Sequence, residues 1–475
     1  MGTPVLLLGF AAAAAAGPAA AATTPDSALA PPWGQTQPAA PAAPAKPPEA
    51  AASSTLLADG TRAVHWTLAN GLRVVSRHLP GAHSAAVTLC YRLGAREDPE
   101  KREGWAELVA QAAFTGRCGD VPERSLLELD QLRPGGWSLQ VGPYLTELTE
   151  ACPTDLLPGV LHQVCQRLRG VAVNDSLVQR SRAEVRRRLR QNYDLEPEKT
   201  LYFLSGEMAA GRPAERAMRY GTGEGLAGIT VREVTATLGE RLVPANTVLC
   251  IVGELGGLDL KTLIQRELGG VPAGKPAPPV SWNHIVPAAA GLSRPDLRQP
   301  MGMVGVIAPA LTDTMHPYFT AFTVSTASLL RKTWGKPDPP LTSRFQFSIS
   351  TDPELVRFYP PVTRGNLDVD RLFSSMLDQN SEAIVDSAAI AMGAASMMWL
   401  TGGALPPDLL KRALGDPAVI HTLATTLAAL EAFGDVAFWA EYRARLARAK
   451  SFDLGPFFAW YENPKRRILL VLRPQ

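Results

Sequence analysis

Glu107 and Gln111 lie four residues apart in the run Gly104-Trp105-Ala106-Glu107-Leu108-Val109-Ala110-Gln111-Ala112-Ala113-Phe114-Thr115-Gly116. On a helix, two side chains at that spacing leave the same face one turn apart. It is the layout by which a helix offers two ligands to a zinc ion. The residue types do not suit zinc. A carboxylate at Glu107 can bind a cation, but Gln111 is a poor neutral ligand, and Ala110 between them cannot accept a proton. No two of the seven histidines fall at helical ligand spacing, and His78 and His83 are five apart around Pro80. Cys90, Cys118, Cys152, Cys165 and Cys250 contain no Cys-x-x-Cys motif. Their odd number forbids a complete disulfide framework, so they read mostly as buried small hydrophobes. There is no Gly-x-Ser-x-Gly elbow, and Gly221-Thr222-Gly223-Glu224-Gly225 lacks the preceding strand and following Lys of a phosphate cradle.

The elements that must position this helix follow from composition and pattern. The chain of 475 residues is 46% apolar and 19% charged, which suits packed domains and not a disordered chain. A formal net charge of +2 argues against nucleic acid as the main partner, and Arg186-Arg187-Arg188 reads as a solvated helix face. Residues 1–24 run from an apolar stretch at Val5 to Ala16 into small residues ending at Ala22, the pattern of an export signal. No Lys or Arg precedes the apolar stretch, so an Ala-rich leader is the alternative, and an uncleaved signal would serve as an N-terminal anchor. The Pro/Ala-rich residues 25–61 read as a disordered tether. No later run reaches the ~20 apolar residues of a membrane span.

Ordered structure is expected from Arg62. Asn70-Gly71 between two β-rich runs signals a hairpin, and Ala85 to Leu93, Trp137 to Val141, Tyr144 to Cys152 and Thr247 to Val252 read as strands. Helices are expected at Arg124 to Leu132, Thr154 to Leu168, Ser176 to Tyr193 and Leu258 to Glu267. Pro272, Pro276, Pro278, Pro279 and Pro287 mark residues 271–295 as a linker. Beyond it, strands at Met301 to Ala308, Arg344 to Ser350 and Arg467 to Leu472 and helices between them, one at Thr422 to Ala449, repeat the earlier order. The reading is two related α+β domains, 62–270 and 296–475, each a mainly antiparallel sheet packed with helices.

In this frame the sequence resembles the M16 metallopeptidases, the family of pitrilysin, insulysin and the mitochondrial processing peptidase. The resemblance rests on Leu68-Ala69-Asn70-Gly71-Leu72-Arg73-Val74, the turn Tyr91 to Pro99, Gly104-Trp105-Ala106, Phe114-Thr115-Gly116, Pro244-Ala245-Asn246 and Val252-Gly253 in that order. It covers Arg62 to about Gly270 well and is looser from Met301 to Gln475. It implies half of a clamshell, because family enzymes close a chamber from four such domains and this chain supplies two. The implied partner is therefore a second M16 chain or another copy of this one, with extended peptide between them.

The resemblance also implies a His-x-x-Glu-His zinc motif and a further Glu from a later helix. The corresponding positions here are Glu107, Ala110 and Gln111, and, aligned through Val185, Arg188 (Glu184 if the register shifts). Zinc is expected for the family, but its ligands and base are absent, so no cofactor and no catalytic residue are assigned. An ion pair between Glu107 and Arg188, with Gln111 hydrogen bonding to one of them, is expected to replace the metal, with solvent-facing side chains as the alternative. The family's substrate-holding Tyr falls on Phe347. Its Arg falls in Pro337-Asp338-Pro339-Pro340, leaving Arg331 or Arg344 as substitutes. The leading expectation is an exported, non-catalytic subunit. A scaffold that has left peptide handling behind and an enzyme with relocated ligands are its alternatives.

Overall fold

Asn70-Gly71 turns the hairpin between Arg62–Thr67 and Arg73–His78. Gly71 has φ 86°, a left-handed conformation open to a residue without Cβ. The Asn70 amide donates to the carbonyls of Leu268 and Val271 at 2.8 and 3.0 Å, tying the turn to the end of the domain. The computed structural model describes residues 50–57, 60–132, 135–195, 197–209, 223–278, 288–294, 296–323, 326, 355–379 and 414–475.

Seven strands form the first sheet: β1 (Ala50–Leu56), β2 (Arg62–Thr67), β3 (Arg73–His78), β4 (Ser84–Tyr91), β5 (Trp137–Val141), β6 (Thr146–Pro153) and β7 (Thr247–Gly253). Their spatial order is β1-β2-β3-β7-β4-β6-β5. Only β3 and β7 are parallel; the remaining neighbours are antiparallel. The helices of this half are α1 (Trp105–Thr115), α2 (Leu126–Leu132), α3 (Leu157–Arg169), α4 (Asp175–Leu195), α5 (Pro197–Ala209), α6 (Val231–Arg241) and α7 (Leu260–Leu268). All of these lend apolar residues to one core against a single face of the sheet, around Leu89, Tyr91, Leu108, Val109, Leu161 and Ile251, α5 through Tyr202.

The second sheet contains β8 (Ala288–Arg294), β9 (Met301–Ile307), β10 (Leu355–Phe358) and β11 (Arg467–Pro474), in the order β10-β9-β11-β8. Here β8 and β11 are parallel and the others antiparallel. Strands β8-β11-β9-β10 thus repeat the pairing of β3-β7-β4-β6, and the two α+β domains are related in topology as well as in order. Helices α8 (Val369–Gln379), α9 (Pro417–Phe433), α10 (Val436–Arg448) and α11 (Pro456–Glu462) belong to this half. Its aromatic core includes Phe319, Phe322, Phe358, Phe373, Phe457 and Tyr461.

The halves exchange one helix each. From the second half, α9 lies on the first sheet, where Ile420, Ala424, Leu427 and Ala428 meet Val75, Ala86, Cys90, Val248 and Cys250. Thr425 and Thr149 hydroxyls meet at 3.1 Å, and Arg92 donates to the Ala432 carbonyl at 3.1 Å. The cation completes an acceptor left open at the helix C-terminus. In return, α5 lies on the second sheet, where Leu201, Leu204 and Met208 meet Met303, Leu355, Ile468 and Leu470. Buried Arg357 donates to Ser205 Oγ at 2.9 Å and stacks 4.0 Å over the Tyr202 ring, while Arg294 donates to Thr200 Oγ1 at 2.6 Å.

Three expectations are corrected. The first sheet starts at Ala50 and not at Arg62, because β1 pairs antiparallel with β2 inside the segment read as tether. Strand β8 lies in the segment read as linker, held by seven residue pairs with β11. Thr422 to Ala449 is not one helix: Gly434 ends α9, and Asp435 caps α10 by accepting from the Phe438 amide at 2.8 Å. All five cysteines are buried and unbridged. No single helix among the described residues is long and apolar enough to cross a membrane. The leader, most of the tether and the expected strand Arg344 to Ser350 lie outside the described residues.

Candidate functional site

Helix α1 is positioned from its N-terminus. Gly104 precedes it with φ 90°, and the buried Asp98 carboxylate accepts from the amides of Gly104 and Ala106, both at 2.8 Å. Side-chain capping of this kind satisfies amides that have no partner in the helix and is worth about 1 kcal/mol. A negative group there also complements the helix dipole. The turn that delivers Asp98 is closed by Glu97, paired with Arg241; burial pushes the Glu97 carboxyl up, and Arg241 opposes that push.

Every residue of α1 except Trp105 and Glu107 is buried. The helix is therefore a core element, and the site it presents is narrow. Its neighbour is α4, whose Val185 and Leu189 are buried in the same core. Arg182 of α4 donates to the carbonyls of Leu226 and Ile229 at 2.9 and 2.7 Å, which fixes the rotation of α4 about its axis.

That rotation brings Arg188 to Glu107. The guanidinium Nη2 donates to Glu107 Oε2, with the two side chains 23% and 16% exposed. Glu184 faces away and pairs with Arg187 on the exposed side of α4. Of the two positions considered, Arg188 and not Glu184 is the α4 residue that meets Glu107 of α1. Gln111 departs from expectation. Its side chain is 3% exposed, its Oε1 has no hydrogen-bond partner, and no bond links it to Glu107 or Arg188 among the described residues. One helical turn separates it from Glu107, but α1 sinks towards the core along its length and draws Gln111 in with it. Ala110 is wholly buried. Phe347, Arg331 and Arg344 lie outside the described residues.

Zinc does not fit this donor set. One carboxylate is engaged by a guanidinium, the next ligand position is a neutral amide, and the last is itself a cation that repels a metal. No group of three His, Cys, Asp or Glu side chains among the described residues could hold a metal ion. At the base position a methyl group offers nothing to activate water.

The other end of α1 carries an ion pair that sequence reading missed. Arg167 of α3 pairs with Glu150 of β6, the side chains 3% and 1% exposed. Its Nε also donates to the Phe114 carbonyl at 3.4 Å, and its guanidinium lies 5.0 Å over the Phe114 ring. The available signal was a Glu in the alternating strand Tyr144 to Cys152 and an Arg beside the last apolar residue of the following helix. Next to this end runs β5, an edge strand whose Trp137 ring lies 5.2 Å from that of Phe114.

A scan of protein-family models finds no match, and neither does a search of curated proteins. Solved structures do match. A protease from Helicobacter pylori superposes with a TM-score of 0.69 at 14% identity, covering 86% of this chain and 99% of that one. An M16-like peptidase from Alicyclobacillus acidocaldarius gives 0.63 at 15% identity, covering 89% and 100%. The periplasmic protease PqqL from Escherichia coli gives 0.61 at 13% identity, covering 87% of this chain and 48% of that one. The chain has the M16-like peptidase fold. It spans about half the length of PqqL.

Proposed function

We propose that this chain is a non-catalytic M16-like subunit that pairs with a second M16 chain, or with another copy of itself, to enclose a chamber for extended peptide. The Glu107–Arg188 pair carries the reading, since it occupies the position where the resemblance calls for a metal and its ligands. The length relation to PqqL supports pairing: two chains of this size add up to one such molecule. Strand β5 supports peptide contact, because its outer edge is unpaired among the described residues and runs beside α1. Backbone donors and acceptors on such an edge can receive an extended chain. Export belongs to the same proposal, supported by the pattern of residues 1–24 and by the periplasmic origin of PqqL.

Purification from the native source with an affinity tag tests pairing. The expected result is an M16 relative with an intact zinc motif, or a homodimer by light scattering. A monomer that retains no such chain overturns the reading. Adding the chain to that active relative is expected to raise peptide cleavage, whereas a scaffold would leave the rate unchanged. Metal analysis of the purified chain is expected to give far less than one zinc per molecule.

A further inference from the structure

The sheet face under α9 carries a carboxyl and a guanidinium that the fold leaves unmatched. Glu147 on β6 is 3% exposed, and its Oε1 is buried without a hydrogen-bond partner. It stands directly across from Cys90 on β4 and Gln140 on β5. Arg92 follows Cys90 by two residues, so strand alternation puts it on the same face, diagonally next to Glu147. Arg92 is half-buried and has no carboxylate partner among the described residues; burial and the nearby Arg73 lower its pKa. Its Nη2 donates instead to the Ala432 carbonyl at 3.1 Å, at the end of α9.

That end is where α9 turns into α10, and the last carbonyls of a helix have no partner within it. Here the Leu430 carbonyl accepts from the Gly434 amide at 3.0 Å and from Trp439 Nε1, that of Glu431 from Arg73, and that of Ala432 from Arg92. A carboxylate would compete for the same guanidinium, since a charge-assisted hydrogen bond is about twice as strong as a neutral one. An ionised Glu147 under α9 has to find a cation, because an unpaired charge out of water is costly. The other groups around it offer none. Cys90 is a thiol that burial and Glu147 itself keep protonated, burial does the same to Cys250, and Gln140 is neutral. Arg73 stands two strands beyond Cys90, behind Val248. Arg96 stacks 4.4 Å over the Tyr144 ring and donates to its hydroxyl. On α9 the titratable groups are His421, which burial pushes down to about 4 and keeps neutral, and Glu431, which meets His65 at 3.1 Å.

We propose that Glu147 and Arg92 form a pH-sensitive latch on the end of α9: ionisation of Glu147 draws the Arg92 guanidinium off the Ala432 carbonyl and frees the last helical turn and the bend at Gly434. The proton leaves to solvent, and no other group is exchanged. Burial pushes the Glu147 carboxyl up to about 8, which sets the change in a mildly alkaline window. Below that window the acid is neutral and α9 is capped. Above it the apolar contacts of α9 remain, but its junction with α10 is loose, and the second half sits less firmly on the first. The inference needs only the single chain and is independent of the pairing proposed above.

The test is hydrogen exchange of the full chain, read by mass spectrometry on peptides spanning Leu430 to Phe438, each rate divided by the intrinsic rate at that pH. Between pH 7 and pH 9 exchange is expected to rise about tenfold, the ratio of ionised fractions one unit either side of pH 8. Glu147→Gln, which cannot ionise, is expected to keep the slow rate throughout. Arg92→Met, which lacks the cap, is expected to exchange fast already at neutral pH and to change little on the alkaline side. Arg92→Lys, whose ammonium can serve either acceptor, is expected to keep most of the rise. A parent rate that does not change with pH overturns the proposal, as does a rise of the same size in Glu147→Gln. An equal rise in Arg92→Met would mean that the charge merely admits water, and an equal rise in α3 on the opposite face would mean global unfolding; either result overturns the latch.

Discussion

Helix α1 is fastened by an ion pair at each end, and the two pairs differ in one respect. Near its start, Glu107 and Arg188 are partly exposed; near its end, Glu150 and Arg167 are almost wholly buried. Water screens the first pair and competes for both partners, so its contribution is small. The second is shielded from water, and each of its charges depends on the other. A third carboxylate completes the series. Glu147 on β6 is buried on the α9 side of the sheet, with no cation paired to it among the described residues, and burial pushes its pKa up to about 8. The same functional group is solvated, paired or neutral according to where one chain places it. The position where the sequence resemblance calls for a metal ligand has received the weakest of the three.

The largest effect is expected from Arg167→Met. It strands the Glu150 charge, and urea unfolding is expected to show a loss of about 3–5 kcal/mol. Adding Glu150→Leu is expected to return most of that loss; a double variant no better than the single would break the contrast between the two ends.

Glu147→Gln tests the unpaired member. A pKa raised from 4.5 to about 8 means that the folded state holds a proton the unfolded state releases. The stability it gives is complete below about pH 4.5 and is lost as pH rises through about 8. The variant is therefore expected to match the parent near pH 4.5 and to exceed it by roughly 3–5 kcal/mol near pH 8. A constant difference across that window would exclude titration of Glu147.

Gln111→Leu removes a buried acceptor that has no donor. Thermal unfolding is expected to show a gain of about 1 kcal/mol, and a loss would mean that the amide has a partner in solution. The smallest effect is expected for Glu107→Ala combined with Arg188→Ala in a double-mutant cycle. Their coupling should be below about 1 kcal/mol and should shrink at about 0.5 M salt. Coupling as large as that of Glu150 and Arg167 would erase the distinction between the ends.

Much of this arrangement was legible in the sequence, and the reasons differ by residue. Asn70-Gly71 declared its hairpin because the turn needs one left-handed position, which Gly71 supplies at φ 86°. Val185 set the register of Arg188 because a helix buries one side at fixed spacing. Strand β8, Ala-Ala-Ala-Gly-Leu-Ser-Arg, was missed, because small residues carry little of the β-branched and aromatic signal of a strand and its order comes from pairing with β11. Gln111 was placed wrongly since spacing along a helix gives the face but not the depth. The exchange of α5 and α9 left no trace at all: an apolar face records that it is buried and not which sheet buries it.

That exchange sets a schedule. Translation completes the first sheet at Gly253, yet α9, which covers its far face, begins only at Pro417, about 160 residues later. At ~5–20 residues per second, the surface around Val75, Ala86, Val248 and Cys250 waits roughly 10–30 s for its cover. During that interval the nascent chain carries a ready-made sheet with an oily side, and a holding chaperone has its most obvious client surface there.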